Sequence, residues 1–334
     1  MDILNFISWI KGSRLVTSVD ASKTLLPVGL KDPKRDDGYL AGTITVEDFA
    51  SAFTPTFVNE NVRLGDSALP NVNTTNDNVA IGHNALGTLT NGSYNVAVGA
   101  YAMTPTDYAQ NNIAVGSFSL RGSNNFDNVV LGQFNMYQVN NCTTNVAIGS
   151  SALYSGANST NNIVIGETAA QYCISSAANV CISNSAGRNM NNANCNVYIG
   201  ANTGSNNLTN GDQNIGIGLS TLNNITSGQN NIGLGFFALA NCTAGFQNIA
   251  LGPNAGNNIS TGSSNIFIGI NSNASSGNMT NSVAIGNGAT ATTNNQLAIG
   301  SSGNPLGTVT TESLSSTKTW TVNINGTVCK ILLA

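Results

Sequence analysis

The sequence predicts an all-β protein whose body is a parallel β-solenoid (β-roll) of about 14 coils. Three observations predict this fold: a repeat with a period near 17 residues, asparagine-rich and glycine-rich turns between short aliphatic segments, and a charged content of only 8%. The period is too short for a helix-turn-helix repeat or a propeller blade, whereas it suits one coil of a solenoid. A mean hydropathy of +0.01 and a net charge of −4 predict an ordered chain.

The repeat reads asparagine, aliphatic, small, aliphatic, glycine, and it recurs from Asn78 onward. Ser183 is the one closing residue that is not glycine. Each coil is expected to stack on the preceding one at about 4.8 Å, which predicts a rod about 60 Å long. The fourteen copies close at positions 82, 99, 116, 132, 149, 166, 183, 200, 218, 235, 252, 269, 286 and 300.

The asparagine that opens the motif predicts a ladder of stacked side-chain amides along the solenoid axis. Such a ladder pairs donors and acceptors that would be costly to bury alone. The predicted ladder residues are Asn78, Asn95, Asn112, Asn128, Asn145, Asn162, Asn179, Asn196, Asn214, Asn231, Asn248 and Asn265.

The middle position of the motif predicts where chains meet. Side chains alternate between the faces of a strand, so we expect the flanking aliphatic residues to point into the coil and the middle residue to point away. Because the middle residues are uncharged, that second face is expected to be buried against other copies of the chain, in a homotrimer. The predicted trimer seam consists of Ala80, Ala97, Ala114, Val130, Ala147, Val164, Cys181, Tyr198, Phe267 and Ala284.

A second stripe begins three residues after the closing glycine and predicts another short core strand. In several copies an alanine or serine stands there and a leucine or methionine follows, as in Ala85-Leu86 and Ala102-Met103.

Composition predicts three regions: an N-terminal module at 1–70, the repeats at 71–303 and a C-terminal cap at 304–334. The module carries most of the charge and is expected to be partly helical, with Phe6, Trp9 and Ile10 as candidates for docking on a particle. A simple cap over the first coil is an equally weighted alternative. The Asn325-Gly326 pair predicts a β-hairpin that caps or knots the trimer tip.

The sequence predicts no catalytic, metal or cofactor site. His83 is the only histidine, and we interpret it as a surface turn residue because it follows a turn glycine. Within 128–300 only Glu167, Arg188 and Asp212 are charged, which argues against both a basic nucleic-acid surface and a cluster of titratable groups. The six cysteines fit no metal spacing and are interpreted as reduced, buried hydrophobic residues. We expect no membrane insertion and no secretory signal.

Residues 282–291, SVAIGNGATA, resemble the head repeat of trimeric autotransporter adhesins of the YadA type, and weaker echoes extend over about 78–300. That family implies a trimeric left-handed parallel β-roll with somewhat shorter coils. The two ends, at 6–14, 31–49 and 317–334, look like those of fibre or appendage proteins of tailed bacteriophages and other aquatic viruses. This second resemblance implies a virion fibre that is assembled in the host cytoplasm.

These observations favour a structural and binding protein over an enzyme. The leading hypothesis is a homotrimeric virion fibre that contacts other virion proteins through its N-terminal module and a host-surface receptor, with a glycan as one option, through its distal rod or tip. The alternatives are a cellular trimeric adhesin, an ice-binding or scaffolding solenoid, and a virion neck or decoration component without receptor binding.

Overall fold

A computed structural model describes residues 25–30, 40–45, 56–71, 74–206, 208–303, 319–324 and 327–332. These residues form strands and turns without any helix, so the described part of the chain holds no membrane-spanning helix. The chain divides into two compact units, residues 1–147 and 148–334, and the division falls within one strand.

The first unit contains two antiparallel pairs and a series of short strands that pair in parallel. Its motif strands have three or four residues, and two-residue strands lie between them. The strands are β1 (Leu25–Leu30), β2 (Leu40–Thr45), β3 (Thr56–Val58), β4 (Asn61–Leu64), β5 (Thr75–Asn76), β6 (Val79–Ile81), β7 (Gly92–Ser93), β8 (Val96–Val98), β9 (Ala109–Gln110), β10 (Ile113–Val115), β11 (Asn125–Phe126), β12 (Val129–Leu131) and β13 (Val146–Ile148).

The second unit has the same construction, with nine motif strands and a final antiparallel pair. Its strands are β14 (Ile163–Ile165), β15 (Tyr172–Ile174), β16 (Val180–Ile182), β17 (Asn189–Asn191), β18 (Val197–Ile199), β19 (Leu208–Thr209), β20 (Ile215–Ile217), β21 (Ile232–Leu234), β22 (Ile249–Leu251), β23 (Ile266–Ile268), β24 (Asn273–Ala274), β25 (Val283–Ile285), β26 (Thr290–Ala291), β27 (Leu297–Ile299), β28 (Thr319–Ile324) and β29 (Thr327–Leu332).

Each motif strand pairs in parallel with the equivalent strand one coil further along. In the first unit the order is β4, β6, β8, β10, β12, and in the second it is β14, β16, β18, β20, β21, β22, β23, β25, β27. The register keeps equal motif positions opposite one another, since Ala97 pairs with Ala114 and Ala114 pairs with Val130. The predicted parallel β-solenoid of about 14 coils with a period near 17 is confirmed.

The closing glycine is required by close approach between coils. Gly99 has a φ of 131°, and a Cβ there would lie 2.7 Å from the carbonyl oxygen of Gly116 in the next coil. A side chain would therefore clash with backbone that the sheet holds in place. Ser183, the exception to the motif, keeps a φ of 111° in this position.

The second stripe is buried as predicted, but it is not a strand. Leu86 and Met103 are fully buried, yet both lie in turns with φ values of 50° and 52°. Such left-handed values cost about 1–2 kcal/mol per residue and do not occur in extended backbone. The prediction of a strand here is wrong because a 17-residue coil needs tight corners, and its second strands, such as β7 and β9, instead lie just before the asparagine.

The described coils begin one copy earlier than the fourteen copies of the motif. Residues 61–65 read NVRLG, and Val62 of β4 pairs in parallel with Val79 of β6. This copy does not match the motif, because its middle position holds the charged Arg63 and the motif has an uncharged residue there. Parallel pairing therefore starts upstream of residue 71, where the sequence analysis places the first repeat.

Antiparallel pairs lie near both ends of the chain. β1 pairs with β2, and β28 pairs with β29 so that Ile324 faces Thr327 across the two-residue connection. Phe6, Trp9, Ile10 and the segments predicted to be helical lie outside the described residues. The docking module and the trimer cap stay predictions.

Candidate interaction surfaces

The opening asparagines form a buried ladder of side-chain amides. The Oδ1 of Asn95 accepts hydrogen bonds from the backbone N–H of Asn112 (3.1 Å) and from its Nδ2 (3.0 Å). Asn95 in turn donates the same two bonds to Asn78 Oδ1, both at 3.0 Å, and its Nδ2 also donates to the carbonyl of Ala109 at 2.9 Å. Each amide is therefore paired on both sides although no solvent reaches it.

Each unit contains such a ladder, built from its own residues. In the first unit Asn78 donates to Asn61 Oδ1, and in the second Ser282 donates to Asn265 Oδ1. All twelve predicted ladder residues are buried: Asn78, Asn95, Asn112, Asn128, Asn145, Asn162, Asn179, Asn196, Asn214, Asn231, Asn248 and Asn265.

The middle residues of the motif point into the coil, so the predicted facing is wrong. Ala114 is fully buried within a single chain, whereas its neighbours Ile113 and Val115 are 41% and 37% exposed. The interior is narrow, since a Cβ on Gly233 would lie 2.6 Å from Cγ2 of Thr221 in the second stripe, and small residues therefore fit there. The residues assigned to the trimer seam are instead core residues of one chain: Ala80, Ala97, Ala114, Val130, Ala147, Val164, Cys181, Tyr198, Phe267 and Ala284.

The flanking residues point outward and form what we call the aliphatic face. It comprises the first and third residues of β6, β8, β10 and β12 in the first unit and of β14, β16, β18, β20 to β23, β25 and β27 in the second. These residues stack in register, as Ile113 does with Val129, and Ile163 and Ile217 are 42% and 41% exposed. Every member is valine, isoleucine or leucine. Each unit therefore presents an uncharged aliphatic face to solvent.

Where the middle column carries a large side chain, glycine makes room for it. Tyr198 is fully buried and pairs with Gly216 of the next coil. A Cβ on Gly216 would lie 3.2 Å from the ring of Tyr198, and one on Gly204 would lie 2.6 Å from it. Burial raises the pKa of the Tyr198 phenol well above its ordinary value. The ring thus fills a space that two glycines leave open.

An aromatic column (Tyr101, Phe118, Phe134) lies in the first unit, two residues after the closing glycine of three consecutive coils. The rings of Tyr101 and Phe118 stack at 5.0 Å between centroids, and those of Phe118 and Phe134 at 5.2 Å. Tyr137 meets Phe134 edge-on at 5.4 Å, and the guanidinium of Arg121 lies 4.6 Å from the Tyr137 centroid. Sequence reasoning missed this column, which the position two residues after each glycine would have revealed.

His83 lies in an exposed turn, as predicted. Its Nδ1 is 3.3 Å from Asp66 Oδ2, and its Nε2 is 3.2 Å from the Tyr101 hydroxyl. Among the described residues no group of three or more histidine, cysteine or acidic side chains is placed to hold a metal ion.

The described cysteines separate into buried and exposed positions. Cys142, Cys173, Cys181 and Cys242 are buried as predicted, whereas Cys195 is exposed. Cys195 lies at the corner directly before the ladder residue Asn196, with a φ of 57°. Burial raises the pKa of the Cys242 thiol to about 11 and that of Cys181 well above its ordinary value.

Two surfaces of the described residues carry apolar side chains where a solvent-exposed surface would normally be polar. They are the aliphatic face of each unit and the aromatic column of the first unit. Neither contains a set of residues typical of catalysis. No family model matches this chain, and no curated protein matches it.

Proposed function

We propose that this protein is the structural subunit of a homotrimeric virion fibre that links a particle to a receptor on the host surface. The observation that carries the proposal is the aliphatic face. Its branched side chains are more than a third exposed at Ile113, Val115 and Ile163. Covering them would contribute about 25 cal/mol for each Å² removed from water, and a solvated sheet face would normally carry polar residues instead.

Further copies of the same chain are the partners that fit this face. Its columns repeat once per coil, so a partner must match a strand spacing of about 4.8 Å, and another copy of the sheet does so by construction. The nine motif strands of the second unit alone make a strip about 40 Å long. The likeness of residues 282–291 to a trimeric head repeat favours three copies around an axis over two.

The proposed mechanism is mechanical and multivalent. The N-terminal module, with Phe6, Trp9 and Ile10 as its docking residues, binds other virion proteins, and the distal part of the solenoid or its tip binds the receptor. Three equivalent sites per fibre raise the effective concentration, so weak contacts sum to useful avidity. The proposal includes no catalysis, cofactor, nucleic acid or membrane insertion, and it places the protein in virions that are assembled in the host cytoplasm.

Disulfide trapping tests the contact between copies. In a background that carries Cys195→Ser and Cys329→Ser, Val115→Cys places a thiol on the aliphatic face, and Ala114→Cys places one inside the coil as a matched control. Oxidation is expected to give covalently linked chains for Val115→Cys and only monomers for Ala114→Cys on a non-reducing gel. Equal cross-linking of the two variants, or none for Val115→Cys, would contradict the proposed assembly.

The rival functions share this assembly and differ in location. A cellular trimeric adhesin would be found on a cell surface, and a neck or decoration component would be found on the particle away from its receptor-binding end. Immunogold electron microscopy with antibodies against the chain separates the three. Label at the free ends of particle fibres is the expected result, and label on uninfected cells would overturn the virion assignment.

A further inference from the structure

A groove of about 430 Å³ lies beside the aromatic column of the first unit. Small-molecule sites typically have volumes of about 300–1,000 Å³, so the groove has room for a ligand of a few rings at most. It combines one aromatic ring, one proline and several hydrogen-bond donors. Its lining includes Pro105, Arg121, Ser123, Tyr137, Gln138 and Asn140.

Arg121 is fixed at this groove by contacts that leave its outer nitrogens unused. Its Nε donates to the carbonyl of Thr104, and its guanidinium carbon lies 4.6 Å from the centroid of Tyr137 and 5.7 Å from that of Phe118. Within the described residues no carboxylate pairs with it. A planar guanidinium held on aromatic rings loses little freedom when it binds a ligand.

The charge of Arg121 is isolated as well as unpaired. No other lysine or arginine occurs between Arg63 and Arg188, and the chain as a whole has a net charge of −4. A nucleic acid or polyphosphate would require several cations in a row. One fixed guanidinium instead matches a ligand that bears a single carboxylate, through two parallel N–H···O bonds.

The neutral groups of the groove are donors that suit a ligand rich in hydroxyls. Asn140 Oδ1 accepts the backbone N–H of Ser123 at 2.9 Å, which leaves its Nδ2 available as a donor. The side chain of Gln138 is exposed and bonds to no other described residue. Tyr137 and Pro105 add apolar surface of the kind on which the C–H face of a sugar ring packs.

We propose that this groove binds an acidic saccharide, that is, a pyranose that carries a carboxylate. Arg121 pairs with the carboxylate, Gln138 and Asn140 donate to hydroxyls, and Tyr137 with Pro105 contacts the apolar face of the ring. The inference rests on the proposed function, because it names the chemical class of receptor that such a fibre recognises.

Titration of the full chain with matched saccharides tests this site. The probes are 3′-sialyllactose and a hyaluronan tetrasaccharide, with lactose as the neutral counterpart of the first and sodium acetate as a carboxylate without a ring. The variants are Arg121→Gln and Gln138→Ala in the groove, and Arg188→Gln as a control that removes the same charge from an exposed site in the second unit. Isothermal calorimetry gives the affinity of each pair.

At least one acidic probe is expected to bind about tenfold or more tightly than lactose and acetate, because lactose lacks the carboxylate that pairs with Arg121 and acetate lacks the ring and its hydroxyls. Arg121→Gln should weaken that binding about tenfold or more, Gln138→Ala should weaken it about threefold, and Arg188→Gln should leave it within about twofold. Gln138→Ala keeps the test decisive should Arg121→Gln disturb the fold, since Gln138 is exposed. No binding of either acidic probe, equal binding of lactose, or equal loss in both arginine variants would overturn the proposal.

The mass of the same samples in solution separates this inference from the proposed function. Trimers that bind no acidic saccharide would contradict the proposed saccharide site and agree with the proposed fibre assembly. Monomers that bind the saccharide with the predicted dependence on Arg121 would contradict the proposed fibre assembly and agree with the proposed saccharide site.

Discussion

The inner and outer sides of a three-residue motif strand differ in the physical reason for their residue types. On the inner side space decides: Ala114 is fully buried, and a residue as large as Tyr198 requires glycine beside it. On the outer side Val115 meets no such limit, yet the position is branched and aliphatic in coil after coil. The inner side is therefore explained by the fold of one chain, whereas the outer side is what the proposed assembly of copies would explain.

The largest expected effect comes from placing a charge on each side in turn. Ala114→Asp buries an unpaired carboxylate inside the coil and is expected to lower the free energy of unfolding by about 3–5 kcal/mol. Val115→Asp places the same group on the aliphatic face, where it should spare the coil but separate the copies. Urea unfolding and solution mass measure the two effects, and equal destabilisation by both variants would erase the distinction.

Removal of a large inner side chain sharpens the role of space. Tyr198→Ala opens a cavity that the neighbouring glycines cannot fill, and we expect a loss of about 3–5 kcal/mol in the free energy of unfolding. Tyr94→Ala is the control, because Tyr94 is 61% exposed and its loss should change stability by less than about 0.5 kcal/mol. Thermal or urea unfolding of the two variants decides, and similar losses would mean that Tyr198 is not a packing residue.

The asparagine ladder, which is buried directly before the motif strands, provides the next test. Asn231→Ala removes the amide that donates to Asn214 Oδ1 and accepts from Asn248, so buried partners are left unpaired. The expected loss is about 1–3 kcal/mol. Asn287→Ala, an exposed position in the same unit, should change stability by less than about 0.5 kcal/mol. Urea unfolding measures both free energies of unfolding. Equal losses for Asn231→Ala and Asn287→Ala would contradict a stabilising role for the ladder.

The smallest expected effect concerns two cysteines, one buried and one exposed. Cys195 is exposed and should react with iodoacetamide at pH 8 in the folded chain, whereas buried Cys242 should stay unmodified. Since burial raises the pKa of Cys242 from 9.0 to about 11, the folded state keeps a proton that the unfolded chain loses. Its contribution to stability is therefore present below about pH 9 and is lost as the pH rises toward 11.

Peptide mass spectrometry of the alkylated protein reads out this last comparison. Modification of Cys242 at the rate of Cys195 would show that the interior at this coil is open to solvent. A stability that rises between pH 9 and pH 11 would have the wrong sign for a buried thiol.

Much of the fold could be predicted because every copy of the repeat meets the same physical constraints. The spacing of Gly99 and Gly116 gives the period, and Asn95 and Asn112 give the ladder, since a buried amide in every coil must pair with its neighbours. The alternation of Ala114 with Val115 showed that the strand has two distinct sides. It did not show which side is inner, because the same alternation fits a strand with either face turned inward. Only the narrow width of the coil interior selects the face with the small residues.

The remaining features depend on backbone geometry or on contacts between coils. Leu86 looks like a strand residue by composition, and its left-handed φ has no signature in a leucine. The groove at Arg121 brings together residues from neighbouring coils, Pro105, Arg121 and Tyr137, that no local pattern connects. Once the coil is known, both features follow from stacking equal positions of the repeat.

The solution mass of the purified chain, measured by light scattering, tests the central claim most directly. The claim is that copies of the chain cover the aliphatic face, and it predicts a mass near three times 34.3 kDa for the native protein. It also predicts a mass of one chain for Val115→Asp. A stable native monomer of 34.3 kDa, with its aliphatic face open to water, would contradict the account.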